Sequence, residues 1–193
     1  MSLEEIRHQI AKSIVVKQAI FTDDKLIKQI AQLTEVCVQC LQSGGKVIFA
    51  GNGGSFADAQ HLCAEFISRF RFDRAPLASI VLGANNSSIS AIANDYGYEQ
   101  IFARELKGLA KRGDVFIPIS TSGNSQNILT AVRVGKEMNL SIWGLTGLGG
   151  GQLVGLCECV CIPSSETARI QEGHIMLGHI ICGLVEQAIF NKT

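Results

Sequence analysis

Four hydroxyl side chains crowd the stretch Ser120-Thr121-Ser122-Gly123-Asn124-Ser125, directly after an apolar run from Val115 to Ile119. Such a run is typical of a buried strand, and hydroxyl donors with the free N–H groups of a following helix can hold a phosphate without any Lys or Arg. A helix N-terminus needs only one capping side chain, which Ser122, Asn124 or Ser125 would supply. Because four hydroxyls exceed that need, we interpret this turn as a phosphate site.

A glycine-rich turn, Gly51-Asn52-Gly53-Gly54-Ser55, follows the apolar run from Lys46 to Ala50. Gly53 and Gly54 let the backbone approach a ligand closely, and a helix that begins there would direct its N–H groups at an anion. The turn does not fit a dinucleotide-binding motif, because Phe56 stands at the position of the third glycine. An ordinary tight turn is the alternative interpretation.

His61 and Glu65 lie four residues apart on the helix predicted after the glycine-rich turn, hence on one face of it. This spacing fits acid–base chemistry, metal ligation or a surface ion pair. By itself the spacing favours the surface ion pair. The position of the helix, which directs its N-terminus at the predicted anion, favours a functional role instead.

The last predicted helix runs from Arg169 to Phe190 and carries polar side chains among apolar ones. These polar side chains are Gln171, His174 and His179. Buried polar groups need partners, so some of them should face a site or an interface. The helical period places the two histidines on separate faces but does not say which of them has a functional role.

Five short apolar runs alternate with stretches long enough for helices. They lie at residues 46–50, 78–82, 115–119, 141–145 and 159–162. This alternation predicts an α/β fold with a parallel sheet and helices on both faces, whose ligands bind beyond the carboxyl ends of the strands. Two amphipathic helices precede the first strand, between Leu3 and Ser43. We expect one domain over residues 1–193, with residues 1–43 serving oligomerisation and residues 44–193 forming the core.

The composition is that of a globular protein, with 47% hydrophobic and 18% charged residues. Lys+Arg and Asp+Glu both number 17, so no excess of positive charge favours nucleic acid or a membrane surface. The acidic N-terminus and the lack of an apolar run of spanning length predict a cytoplasmic protein with no membrane partner. The seven cysteines, including the CxxC of Cys37 and Cys40, are interpreted as reduced core thiols.

Four separated motifs together resemble the sugar isomerase (SIS) domain, specifically the sedoheptulose-7-phosphate isomerases, also called phosphoheptose isomerases. The motifs are Gly51 to Ser55 followed by Asp58, His61 and Glu65; Asn94-Asp95-Tyr96-Gly97; Ser120 to Ser125; and Arg169-Ile170-Gln171-Glu172 followed by His179. The resemblance covers essentially the whole chain. It implies a three-layer SIS-type fold with a five-stranded parallel sheet, and a homotetramer whose active sites lie between subunits.

The reaction implied by this resemblance converts D-sedoheptulose 7-phosphate into D-glycero-D-manno-heptose 7-phosphate, the first step of ADP-heptose synthesis for the lipopolysaccharide core. Ketose-to-aldose conversion removes a proton next to a carbonyl and returns it to the neighbouring carbon through an enediol. This chemistry needs a base and an acid, and no redox or nucleotide cofactor. Glu65 as base and His179 as acid supply that minimum.

The resemblance also implies a role for each matching residue. The phosphate would be held by Ser55, Ser120, Thr121, Ser122 and Ser125. The sugar would be lined by Asn52, Gly53, Gly54, Asn94, Asp95 and Gln171, with Glu65 and His179 transferring the proton. Some members bind zinc through residues that match His61, Glu65, Gln171 and His179. The chain departs from the pattern at Ala168, where some relatives carry an acidic side chain, so no acid is assigned there.

Other classes share parts of this pattern. A non-catalytic SIS adaptor of the DnaA initiator-associating type keeps the fold and the stretch Arg169 to Glu172, but lacks a carboxylate and a histidine fit for proton transfer. Glu65 and His179 therefore favour the enzyme. A SIS module that senses a sugar phosphate usually accompanies a second domain, and none is visible in 193 residues.

Overall fold

The structure, a computed structural model, describes residues 2–190. Five parallel strands form one sheet in the order β2-β1-β3-β4-β5. The strands are β1 (Val47–Gly51), β2 (Ser79–Val81), β3 (Val115–Ser120), β4 (Ser141–Thr146) and β5 (Glu158–Cys161). Each predicted apolar run is a strand whose ends agree with the prediction to within one residue.

Seven α-helices surround the sheet within the described residues. They are α1 (Leu3–Phe21), α2 (Asp24–Gln42), α3 (Gly54–Ile67), α4 (Asn86–Tyr96), α5 (Ile101–Leu109), α6 (Gln126–Glu137) and α7 (Thr167–Phe190). One apolar core joins α2, α3 and α7 to one face of the sheet, and a second core joins α4, α5 and α6 to the other face. The predicted three-layer α/β fold is therefore confirmed.

The two N-terminal helices differ in what they bury. The apolar stripe of α2, which includes Leu26, Ile30 and Leu33, packs into the core beneath the sheet. The stripe of α1 at Ile6, Ile10 and Ile14 is 44–59% exposed. The expectation that both stripes lie outside the α/β unit is therefore corrected, because α2 belongs to the subunit's own core and only α1 leaves its stripe uncovered.

The strand order places a topological switch at the centre of the sheet. The chain leaves β1 for β2 on one side and returns to β3 on the other side of β1. The helices that follow these two central strands, α3 after β1 and α6 after β3, pack on opposite faces of the sheet. Their first turns separate and leave a crevice beyond the carboxyl ends of the strands, which is where such folds bind ligands.

The last helix, α7, begins two residues before the predicted start and corrects the expectation that the sequence has no apolar run of membrane-spanning length. By length and composition alone it is the one helix of residues 2–190 that could cross a membrane. Half of its most apolar stretch is buried inside the protein, where Leu177, Ile181 and Val185 pack into the core with α2 and α3. The core helix of a globular domain needs this apolar composition.

Candidate active site

The glycine-rich turn between β1 and α3 approaches its neighbours closely at two of its glycines. A Cβ on Gly51 would lie 2.3 Å from the main-chain oxygen of Ser55, and one on Gly54 would lie 2.5 Å from the Gln171 amide. Gly53 has φ +57°, a left-handed conformation that favours glycine. The turn therefore brings bare backbone to the N-terminus of α3, with Gln171 of α7 directly against it.

The hydroxyl-rich turn between β3 and α6 is not used as a helix cap. Ser125 occupies the N-cap position of α6, yet its side chain forms no capping hydrogen bond. Its hydroxyl lies 3.1 Å from that of Ser120, which is buried at the end of β3. The simple capping interpretation of Ser125 is thus not supported, and the first turn of α6 keeps donors available for an anion.

A glycine triplet, Gly149 to Gly151, packs onto this hydroxyl-rich turn. A Cβ on Gly123 would lie 1.9 Å from the main-chain oxygen of Gly150, and a Cβ on Gly151 would lie 2.4 Å from that of Ser122. The Gln152 N–H also donates to Asn124 Oδ1 at 3.0 Å. Backbone segments that approach this closely need glycine at both Gly123 and Gly151. The contact also lets the glycine triplet support the hydroxyl-rich turn.

The two turns are joined by a pair of amides. Asn52 Nδ2 donates to Asn127 Oδ1 at 2.9 Å, and Asn127 Nδ2 donates back to Asn52 Oδ1 at 2.8 Å. Tyr98 also donates its hydroxyl to Asn52 Oδ1 at 3.2 Å. Asn127 and Tyr98 were not among the predicted site residues. An asparagine in the first turn of a helix after a polar turn was the available signal for Asn127.

An acid–base cluster forms where α3 and α7 run side by side. His61 Nε2 lies 2.8 Å from His179 Nε2 and 3.1 Å from Glu65 Oε1. Ligand atoms of all three residues fall within 4.8 Å of one another. The His61–Glu65 pair is therefore more than a surface ion pair, because it meets a third titratable group from another helix.

A buried ion pair supports this cluster from behind. Glu186, which is fully buried, accepts hydrogen bonds from the main-chain N–H groups of Phe70 and Arg71 and pairs with Arg74 at 2.9 Å. Arg74 also donates to the main-chain oxygen of Glu65 at 2.7 Å. The segment after α3 is thereby fixed so that the Phe70 ring stacks on the His179 ring, with centroids 5.5 Å apart.

The structure separates the two histidines of α7. His174 is fully buried, and its Nε2–H donates to the Thr146 main-chain oxygen at 3.1 Å, while Nδ1 has no partner in the part of the chain that the structure describes. Burial lowers the pKa of His174 to about 4, so it is a neutral core histidine at neutral pH. His179 is the one that reaches the cluster.

Gln171 does not join the cluster within this chain. It faces Gly54, eight residues before His179 on α7, which is about 12 Å along the helix axis. One subunit therefore brings together three of the four predicted metal ligands. Its role as a residue that lines the sugar stays a prediction.

Asn94 and Asp95 lie near the exposed end of α4, where Asn94 Nδ2 donates to Asp95 Oδ1 at 2.8 Å. Their role as sugar-lining residues stays a prediction. Ala168 is exposed in the first turn of α7. The neighbouring Glu166 lies 3.9 Å from Lys12 of α1, so it does not replace the missing acid.

Asp58 was noted in the sequence motif but given no role. It stands on α3 three residues before His61, and its Oδ2 is buried without a hydrogen-bond partner among residues 2–190. Burial raises the pKa of this carboxyl group, while the nearby His61 lowers it. The face of α3 that carries the cluster therefore also carries a desolvated carboxylate.

A parallel sheet with a hydroxyl-rich turn after β3 and an acid–base cluster between α3 and α7 defines an α/β protein of the SIS type, and the SIS domain family matches residues 12–147. The chain is 51% identical over 188 residues to a phosphoheptose isomerase of Aneurinibacillus thermoaerophilus, which covers 97% of this chain and 95% of that protein. A solved phosphoheptose isomerase from Francisella tularensis superposes with a TM-score of 0.92 at 35% identity, covering 97% of this chain and 99% of that one. A second, from Neisseria gonorrhoeae, gives a TM-score of 0.89 at 37% identity over 95% and 98%. The chain belongs to the phosphoheptose isomerases, and the adaptor alternative is not favoured.

Proposed function

We propose that this enzyme interconverts D-sedoheptulose 7-phosphate and D-glycero-D-manno-heptose 7-phosphate by moving a proton between the first two carbons of the sugar. The observation that carries the proposal is the convergence of His61, Glu65 and His179 between α3 and α7, in a fold whose hydroxyl-rich turn has no capping role for Ser125. Full-length similarity to phosphoheptose isomerases supports the choice of sugar.

Glu65 is proposed as the base and His179 as the acid. The Glu65 side chain is 20% exposed, so the cluster is reachable from solvent yet shielded on the side of the fold. The carboxylate removes the proton from the carbon next to the carbonyl, and the imidazole exchanges a proton with the oxygens of the enediol. Phe70 limits the motion of the His179 ring, which keeps the acid in place.

The phosphate is proposed to lie on the hydroxyl-rich turn. Ser120, Thr121, Ser122 and Ser125 would donate hydroxyl hydrogen bonds, and the first N–H groups of α6 would add main-chain donors. The side chain of Ser55, buried at the start of α3, lies across the crevice on the neighbouring turn. Asn52, Gly53, Gly54 and Gln171 would line the sugar, with Asn94 and Asp95 as further lining residues.

The cluster also fits a zinc ion. Two imidazoles and a carboxylate are a common donor set for zinc, and the three residues already converge without any rearrangement of the backbone. His61, Glu65 and His179 would hold the ion. The fourth predicted ligand, Gln171, faces Gly54 in this chain and does not reach the cluster. Zinc bound there would polarise an oxygen of the substrate.

We also propose a cytoplasmic homotetramer with active sites between subunits, acting in ADP-heptose synthesis for lipopolysaccharide. What supports oligomerisation is uncovered apolar surface. The α1 stripe is exposed, and a groove of about 330 Å³ between α1, α2 and α7 is lined almost wholly by apolar side chains, including Phe21, Ile180 and Leu184. Surfaces of this kind mark contacts between proteins.

The test is to incubate the purified protein with sedoheptulose 7-phosphate and follow the anomeric protons of the aldose by NMR. We expect an aldose 7-phosphate to accumulate to an equilibrium ratio that is the same from either direction. Fructose 6-phosphate and ribulose 5-phosphate serve as matched ketose phosphates of other lengths. An unchanged seven-carbon ketose would contradict the proposed function.

A further inference from the structure

We propose that Asn127 is a positioning residue that locks the Asn52 amide so that it presents an N–H donor, and not its carbonyl oxygen, to the sugar. The proposal deepens the function proposed above and rests on it. It concerns a side chain that is 3% exposed and lies in the first turn of α6, below the surface of the crevice.

The orientation of Asn127 follows from a main-chain group. The N–H of Ile128 lies 2.9 Å from one end of the Asn127 amide, and a main-chain N–H can only donate. That end must therefore be the carbonyl oxygen Oδ1. The other end is the NH2 group, which has to donate to whatever it faces.

The orientation of Asn127 then fixes that of Asn52. The Asn127 NH2 group faces an atom of Asn52 at 2.8 Å, and that atom must be the Asn52 carbonyl oxygen because it accepts. Tyr98 donates its hydroxyl to the same oxygen at 3.2 Å. Both lone pairs of Asn52 Oδ1 are thereby occupied.

The remaining capacity of Asn52 is a donor. Its Nδ2 gives one hydrogen to Asn127 Oδ1 at 2.9 Å, and its second hydrogen has no partner among residues 2–190. Asn52 and Tyr98 line a cavity of about 180 Å³ beside the glycine-rich turn. The fixed Asn52 N–H therefore selects a hydrogen-bond acceptor. We infer that this acceptor is a hydroxyl or carbonyl oxygen of the sugar, with a lone pair directed at the glycine-rich turn.

The test compares Asn127→Asp with Asn127→Ala in the full-length protein. Aspartate keeps the acceptor for the Ile128 N–H, but it turns a carboxylate oxygen toward Asn52 Oδ1. Asn52 Nδ2 already donates to the other oxygen of residue 127, so a rotated amide would also place its own oxygen against the carboxylate. Because both orientations of Asn52 meet this repulsion, the amide is displaced and its free N–H is no longer held toward the sugar. Alanine leaves Asn52 free to adopt either orientation. We expect Asn127→Asp to lower kcat/KM about tenfold or more, and Asn127→Ala to lower it less.

A purely structural role predicts the opposite order, because alanine removes every hydrogen bond of the side chain whereas aspartate is nearly the same shape. Melting temperature and oligomeric state are measured for each variant. If Asn127→Ala is the more damaging change to kcat/KM, the proposal is wrong.

The double variant Asn52→Ala/Asn127→Asp separates orientation from charge. In the Asn52→Ala background the added aspartate should change kcat/KM by less than about twofold, because the residue through which it acts is gone. Inhibition by inorganic phosphate should also stay within about twofold in Asn127→Asp. Additive losses, or a matching loss of phosphate inhibition, would overturn the proposal, since the added charge would then act directly on the phosphate turn.

The outcome is distinguishable from failure of the proposed function. A wild-type protein without turnover of sedoheptulose 7-phosphate contradicts both. A wild-type protein that turns over this sugar, with Asn127→Asp at least as active as Asn127→Ala, contradicts only the role of Asn127.

Discussion

At the scale of single residues, the proposed base is the carboxylate of Glu65. Glu65→Gln keeps the size of the side chain and much of its hydrogen bonding, but it cannot take up a carbon-bound proton. We expect kcat to fall by 10²–10⁴-fold, as is typical for general acid–base groups, with a smaller change in KM. Steady-state kinetics of the variant measure this. Retention of more than about a tenth of wild-type kcat would exclude Glu65 as the base.

The two histidines of α7 provide the matched control. His179→Ala should lower kcat about as strongly, whereas His174→Gln should leave turnover nearly unchanged because His174 is bonded to Thr146 in the core. Zinc content of the purified variants is measured alongside. If zinc is lost from Glu65→Gln and from a His61 variant alike, Glu65 also serves as a ligand, and the kinetic loss of Glu65→Gln no longer measures the base alone.

His174 also predicts a pH dependence of stability. Its pKa is lowered to about 4 by burial, against about 6.5 in the unfolded chain. Below pH 6.5 the unfolded state therefore binds a proton at His174 that the folded state does not bind. The contribution of neutral His174 to the free energy of unfolding is complete above pH 6.5 and is lost as the pH falls toward 4. The loss should reach about 2 kcal/mol by pH 5.

Urea unfolding at pH 7 and pH 5, at one protein concentration, measures this loss. His174→Gln should lose less stability between the two pH values than the wild type does. His8→Gln, at an exposed position of α1, should behave as the wild type. Equal losses in the wild type and in His174→Gln would contradict the assignment of His174 as a neutral core residue.

At the scale of elements, the turn between β3 and α6 combines a strand end, a helix start and the backbone of the glycine triplet. We expect Ser122→Ala/Ser125→Ala to weaken substrate binding, since each lost hydrogen bond to a charged group costs about 1.5–3 kcal/mol. Isothermal titration with the sugar phosphate measures the change. The helix should remain intact, because the Ser125 side chain forms no capping bond.

Thermal unfolding supplies the contrast for this prediction. Ser87→Ala/Ser90→Ala changes two hydroxyls on α4, outside the turn, and should alter neither affinity nor melting temperature appreciably. An unchanged affinity with a lowered melting temperature in the Ser122/Ser125 variant would mean that the turn only stabilises α6.

At the scale of the whole molecule, α1 should form a subunit interface, because Ile6, Ile10 and Ile14 leave 44–59% of their surface exposed. We expect a tetramer by light scattering at micromolar concentration. Ile10→Lys places an unpaired charge in the middle of the stripe, and burying such a charge costs several kcal/mol. The variant should therefore shift toward smaller species.

His8→Lys adds the same charge at an exposed position on the opposite face of α1 and should leave the tetramer unchanged. Sedimentation velocity resolves the species in both variants. A wild-type monomer at micromolar concentration would remove the interface and, with it, active sites shared between subunits.

The sequence by itself determined the sheet and its turns. Buried parallel strands must be short apolar runs and crossovers must be helical, so the five strands were placed to within one residue. Excess hydroxyls at residues 120–125 and the (i, i+4) spacing of His61 and Glu65 are local patterns. Local patterns can be read without knowing what lies across the fold.

Only the tertiary structure decided which distant residues meet. It brought His179 to His61 and Glu65 and buried His174, because that choice depends on how α7 rotates against α3 and β4. It placed the α2 stripe in the core, since an amphipathic helix looks the same whether it packs on its own sheet or on a partner. It also joined Asn52 to Asn127 across 75 residues of sequence, and no spacing along the chain encodes a hydrogen bond between the turn after one strand and the first turn of a distant helix.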